Sequence, residues 1–175
     1  MSSKTRTKTR TEIITKTIMA DYKFRGYACI PEMQIGDLAY KLGLNDTGLT
    51  TKTKRRTRTR KKGAYRMRPD IWLVNRDGQI VIIEVKSSRA DFISDKKWHI
   101  YRQFCDMMYF AIDGSYINRD ELPAGIGLMK LDESERGFYF DKKAKTKKFD
   151  LTPEIRCDLM FRMARSLSNR QCLLK

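Results

Sequence analysis

Arg68-Pro69-Asp70 and Glu84-Val85-Lys86 hold the residue types that phosphodiester hydrolysis needs, two carboxylates and a lysine. Two carboxylates brought close together repel, and a divalent cation relieves that repulsion. Mg²⁺ keeps several of its waters and takes one or two protein carboxylates, with substrate phosphate oxygens completing its shell. A cation held this way polarises the phosphodiester and lowers the pKa of a bound water, so hydroxide is available near neutral pH. Asp70 and Glu84 are therefore candidate ligands for Mg²⁺ or Mn²⁺. Lys86 is the candidate group that orients the attacking water or stabilises charge on the phosphate. Alone the pattern is weak, because many surface hairpins carry such charges by chance.

The neighbouring residues show how the three groups meet. Ile71–Val74 and Ile80–Ile83 are apolar runs that read as strands, and Asn75-Arg76-Asp77-Gly78-Gln79 reads as a tight turn between them. Asp-Gly between two such runs signals a hairpin, since these turns need residues that tolerate positive φ. An antiparallel hairpin folds Asp70 back towards Glu84. Strand alternation then puts Glu84 and Lys86 on one face and Val85 on the other.

After Lys86 the chain continues Ser87-Ser88-Arg89-Ala90-Asp91-Phe92, then Asp95-Lys96-Lys97-Trp98, Tyr101, Cys105-Asp106 and Tyr109-Phe110-Ala111. This run resembles the MmcB family of bacterial DNA-repair proteins, within the PD-(D/E)xK nuclease-like superfamily, and is far more specific than the trio. The similarity extends from about Tyr22 to the C-terminus, with Gly26-Tyr27, Glu32, Leu122-Pro123 and Gly125–Leu128 matching further family positions. The resemblance implies an α/β (α+β) fold with a restriction-endonuclease-like core, a mixed sheet flanked by helices. It places metal at Asp70 and Glu84, with the Val85 carbonyl as a further ligand, and makes Asp70, Glu84 and Lys86 the catalytic residues. In related nucleases a polar residue and a tyrosine four apart line the same cleft, and Lys97 and Tyr101 have that spacing, which shares a helix face. Related nucleases also carry an extra acid on the first helix or strand. Glu12 and Glu32 are the candidates here, Glu32 the better match to the family. Fold by itself does not fix function.

The net charge of +16 is unevenly spread. Residues 1–68 hold 18 Lys and Arg against five acids, whereas 69–175 hold 19 against 16. Such density attracts polyanions with a steep salt dependence. No run of about eighteen apolar residues and no signal peptide is present, which points away from the membrane and towards the cytoplasm and nucleoid. The four cysteines (Cys29, Cys105, Cys157, Cys172) are far apart with a single histidine, His99, so a structural zinc site is not expected and reduced, mostly buried thiols are.

Along the chain, residues 1–10 alternate Thr or Ser with Lys or Arg and read as a basic disordered tail, with one nuclease-like domain over 11–175. A helix is predicted from Thr11 to about Phe24 and ended by Gly26, then a strand over Ala28–Ile35. The family's direct turn into the Asp70 strand is interrupted by a basic insertion at 36–64. A short helix is expected within it over Asp37–Leu44. Thr51–Lys62 has no apolar residue, and its cations Lys52, Lys54, Arg55, Arg56, Arg58, Arg60, Lys61 and Lys62 are candidate DNA-backbone contacts, with Lys97 and Tyr101 in the cleft. Self-repulsion favours disorder until a polyanion neutralises the segment, with a β-ribbon as the alternative. Further on, a helix is predicted over Arg89–Cys105, then strands at Met107–Ile112, Ile126–Leu131 and Gly137–Phe140, and a basic turn over Asp141–Lys148. The last helix has Thr152 as N-cap and Pro153 at its first position, with Leu159, Met160, Met163 and Leu167 as its buried stripe. The leading reading is a metal-dependent DNA endonuclease of repair or of branched and damaged DNA. The alternatives are a non-catalytic nucleic-acid-binding module on the same fold and an RNA-binding basic protein.

Overall fold

The computed structural model describes residues 2–41, 67–134, 136–146 and 151–172. Thr51–Lys62, the basic tract, lies outside the described residues. Six strands form one mixed sheet in sequence order: β1 (Ala28–Pro31), β2 (Ile71–Val74), β3 (Ile80–Val85), β4 (Met107–Ile112), β5 (Gly127–Leu131) and β6 (Phe138–Lys142). The β3/β4 and β4/β5 pairs are parallel, and the other three pairs are antiparallel. The helices are α1 (Ser2–Phe24), α2 (Gly36–Lys41), α3 (Arg89–Ser94), α4 (Trp98–Tyr101) and α5 (Pro153–Cys172). The α+β class and mixed sheet with flanking helices match the expectation.

Alternation along β3 builds a core on each side. All six residues of β3 are buried, as expected for a central strand covered on both faces. Val81, Ile83 and Val85 face Ile14, Ile18 and Tyr22 of α1. Ile80 and Ile82 face the other way, into a core with Trp72, Phe104, Phe110, Leu159 and Met163. Leu159 and Met163 are buried on α5, and Met160 and Leu167 pack beside them. Thr152 caps that helix through Oγ1, 3.5 Å from the Ile155 amide.

The hairpin forms as its turn chemistry requires. Gly78 has φ +74, and the Asn75 side chain accepts from the Gln79 amide at 2.8 Å while donating to the Gln79 side chain at 2.9 Å. Pairing runs Val74 to Ile80 and Ile71 to Ile83, and one step further sets Asp70 opposite Glu84.

Four sequence expectations change. The basic tail expected to be disordered is helical, since α1 starts at Ser2; Lys and Arg are good helix formers, and the turns continue an already anchored helix. The first strand stops at Pro31 rather than Ile35, because Glu32 turns the chain with φ 53. The helix expected over Arg89–Cys105 is broken into α3, α4 and a 3-10 turn at Arg102–Phe104. Asp141 and Lys142, expected in a turn, end β6.

Candidate active site

Asp70 sits at the entrance to β2, and Glu84 and Lys86 lie at the end of β3. By strand parity Glu84 follows Ile80 and Ile82, so it belongs to the face on which α4 packs. The two carboxylates interlock through the backbone. The Val85 amide donates to Asp70 Oδ2 at 2.8 Å, and the Asp70 amide donates to Glu84 Oε1 at 3.1 Å. Lys86 Nζ is 2.5 Å from Asp95 Oδ2 and 3.6 Å from Glu84 Oε2. All three of these side chains are at least nine-tenths buried. Lys86 also lies 5.6 Å from the centroid of the Phe110 ring, within cation–π range.

Burial governs the proton affinities. It pushes the Asp70 carboxyl up to about 6, against the Val85 hydrogen bond and the Lys86 charge. Burial, reinforced by the Asp70 charge, holds the Glu84 carboxyl well above the carboxylate range, although Lys86 opposes it. For Lys86 burial favours the neutral amine, but Glu84 and Asp95 outweigh it and the ammonium is held. Lys86 is thus a fixed cation and a poor proton acceptor. A buried and a partly buried carboxylate that resist ionisation side by side are stabilised by a cation or a proton, which is the electrostatic demand a divalent ion meets.

These groups open onto a cleft of about 970 Å³ lined by Asp70, Glu84, Val85, Lys86, Lys97 and Tyr101, with Arg68, Asp91, Asp95 and Lys96 on its walls. Lys97 and Tyr101 both line this cleft. The Tyr101 hydroxyl meets the Arg68 backbone amide, and burial keeps its proton on. Glu12 and Glu32 do not line the cleft. Glu12 pairs with Lys16 at 2.7 Å, and Glu32 is half-exposed with Arg68 at 3.5 Å; the Glu32 amide donates to the Asp70 carbonyl at 2.9 Å, and its side-chain charge adds to the rise in the Asp70 proton affinity.

Asp95 is the site residue the sequence pattern did not single out. It holds Lys86, and its other oxygen accepts the Lys97 amide at 2.7 Å. It thereby ends α3 and starts α4, which explains the broken helix. The Ser-Ser-Arg-Ala-Asp run has a local role too: Ser88 caps α3 by accepting the Asp91 amide, and Asp91 accepts from the Ser87 amide at 3.0 Å. Residue spacing could have flagged Asp95 only through that Lys97 contact, an acid two before an amide at a helix start. Tyr116 fixes the far side of Lys86, its hydroxyl donating to the Lys86 carbonyl at 2.6 Å.

Among the described residues no group of three or more His, Cys, Asp or Glu is arranged to hold a metal, so a cation here would rest on the two carboxylates, backbone and water. Cys29, Cys105 and Cys157 are unpaired, the first two buried and Cys157 exposed. No described helix is long and apolar enough to cross a membrane.

A mixed sheet with an acid pair and a buried lysine at its strand ends defines a class in which a cleft of charged groups sits at the edge of an α+β core. The DNA repair proteins described as MmcB-like match residues 62–175, and the chain belongs to that family. A solved structure, "SPO1766 protein of unknown function from Silicibacter pomeroyi", is similar at 26% identity over 87% of this chain and 82% of that one, with a TM-score of 0.60. No curated protein matches the chain.

Proposed function

We propose that the protein is a Mg²⁺- or Mn²⁺-dependent endonuclease that hydrolyses phosphodiester bonds of damaged or branched DNA during repair, working at the nucleoid. The supporting observation is the convergence of Asp70, Glu84 and Lys86 at the floor of one cleft walled by Arg68, Lys96, Lys97 and Tyr101. Membership of a DNA repair family supplies the setting. Asp70, Glu84 and the Val85 carbonyl would hold the ion, since two neighbouring carboxylates with raised proton affinity suit a hard divalent cation. When bound, such an ion polarises the phosphodiester and makes hydroxide available. Lys86, held charged by Glu84 and Asp95, orients the incoming water and offsets charge on the phosphate. Arg68, Lys96 and Lys97 seat the strand; such contacts position rather than specify sequence.

The test is cleavage of labelled plasmid, single-stranded, forked and RNA substrates with Mg²⁺ or Mn²⁺, beside Glu84→Gln. The amide is a poor ligand for a hard cation but hardly changes the binding surface. Glu84→Gln is expected to lose at least about 100-fold in rate, the scale of one electrostatic group in the transition state, with DNA affinity within about twofold. A second reading, a non-catalytic nucleic-acid-binding module, draws on the interlocked amide contacts of Asp70 and Glu84, which also serve to pin β2 to β3. Metal-independent binding with no cleavage of any substrate would favour it.

A further inference from the structure

Lys86 sits between two carboxylates, and its hydrogen bond goes to Asp95 rather than to the acid pair. Asp70 and Glu84 each spend one oxygen on the backbone, Oδ2 on the Val85 amide and Oε1 on the Asp70 amide. The second oxygen of Glu84, Oε2, stands 3.6 Å from Lys86 Nζ, beyond the usual reach of an N–H···O hydrogen bond. Asp95 takes that bond through Oδ2 at 2.5 Å, with a side chain only 7% exposed. Its Oδ1 accepts the Lys97 amide at 2.7 Å, so the carboxylate is fixed from both sides.

Charge balance gives this arrangement a consequence. An ammonium buried as deeply as that of Lys86 needs a counter-anion. With Asp95 in that place the pair is neutral, and the two charges of Asp70 and Glu84 are left to a divalent cation. Without Asp95 the next carboxylate is that of Glu84, 3.6 Å away. The lysine would then settle on Oε2 and compete with the metal as an internal cation. The effect is large at this range, since a unit charge within about 4–6 Å changes the proton affinity of a carboxylate by roughly 10- to 1,000-fold.

We propose that Asp95 is a positioning residue that withholds Lys86 from Glu84, keeping Oε2 open to a divalent cation while the ammonium stays charged beside it. This deepens the proposed function and rests on its metal half. The test is direct Mn²⁺ binding by the full chain without DNA, read from the electron paramagnetic resonance signal of the free ion. Wild type is compared with Asp95→Asn, Asp95→Glu and the double variant Asp95→Asn, Lys86→Ala. Asp95→Asn keeps a carbonyl for the Lys97 amide but no charge for Lys86, and should bind Mn²⁺ at least about tenfold more weakly. The double variant loses the freed ammonium along with the anion and regains the local net charge of wild type. Its affinity should therefore return to within about threefold of wild type. A role of Asp95 confined to joining α3 to α4 predicts no such return, because deleting Lys86 does not mend a helix junction. Asp95→Glu keeps the anion and should also stay within about threefold; it decides the matter if Asp95→Asn fails to fold. Wild-type affinity in Asp95→Asn, a double variant as weak as the single one, or a loss of about tenfold in Asp95→Glu each overturns the assignment. Wild type that binds Mn²⁺ but cleaves no substrate sinks the hydrolase alone, whereas wild type that binds no Mn²⁺ sinks both.

Discussion

Lys86 is bracketed by Asp95 at 2.5 Å and Glu84 at 3.6 Å, and that bracket separates charge placement from metal binding. An ammonium cannot ligate a cation, so Lys86→Ala should lower the cleavage rate by roughly 100-fold, a typical loss for one positioned charged group, while shifting the metal concentration for half-maximal activity by less than about threefold. Lys86→Arg should recover little. The guanidinium is planar and larger, and the space is fixed by two carboxylates, the Phe110 ring and the backbone held by Tyr116. Metal titrations of cleavage for the three forms decide it. Equal rates would reduce Lys86 to an ion-pair partner of Asp95.

At the scale of elements, the junction of β3, β4 and α5 hangs on Asp106. Its carboxylate accepts the Ile80 amide at 2.7 Å and a two-pronged contact from Arg156 at 2.9 and 3.1 Å. Burial alone would raise the Asp106 carboxyl, but the Arg156 and Ile80 hydrogen bonds win and hold it below the usual range. Asp106→Asn should therefore destabilise the fold by about 1–3 kcal/mol at neutral pH, the cost of leaving charged and buried donors poorly met. Because the folded carboxyl is depressed, its contribution is fully present above the unfolded value of about 3.9 and is lost as pH falls through the lower folded value. Denaturant midpoints of wild type and variant should converge below about pH 4. Local signals made much of this architecture legible: Asp77-Gly78 fixed the hairpin, alternation fixed the faces of β3, and Thr152-Pro153 fixed the start of α5. The break at Asp95 was hidden, since it is decided by Lys86 on another element. The helical Ser2–Arg10 was hidden too, because Thr/Lys alternation offers no apolar period to read. Glu32 read as a strand acid next to the site, but its positive φ turns the chain and leaves its side chain half-exposed.

For the whole molecule, charge is unevenly divided along the chain. Residues 69–175 are nearly balanced, and the excess lies in 1–68, eight cations of it in Thr51–Lys62 with no acid among them. The cleft is different, with Asp70 and Glu84 beside Lys86 on its floor and Asp91 and Asp95 on its walls. A polyanion drawn only to that floor would be repelled by it until a cation binds. In the proposed function, attraction at long range is therefore assigned to the basic segments and hydrolysis to the cleft. Deleting Thr51–Lys62 should thus weaken DNA binding across all sequences alike and flatten the dependence of log affinity on log salt, by about 0.7–0.9 for each phosphate left unneutralised. Cleavage at saturating protein and low salt should survive, since Asp70, Glu84 and Lys86 lie outside the tract. Fluorescence anisotropy over a salt series, paired with single-turnover cleavage, reads both halves on one preparation. An unchanged slope would make the tract a solvated loop that serves solubility, and would return backbone binding to Arg68, Lys96 and Lys97 at the cleft wall.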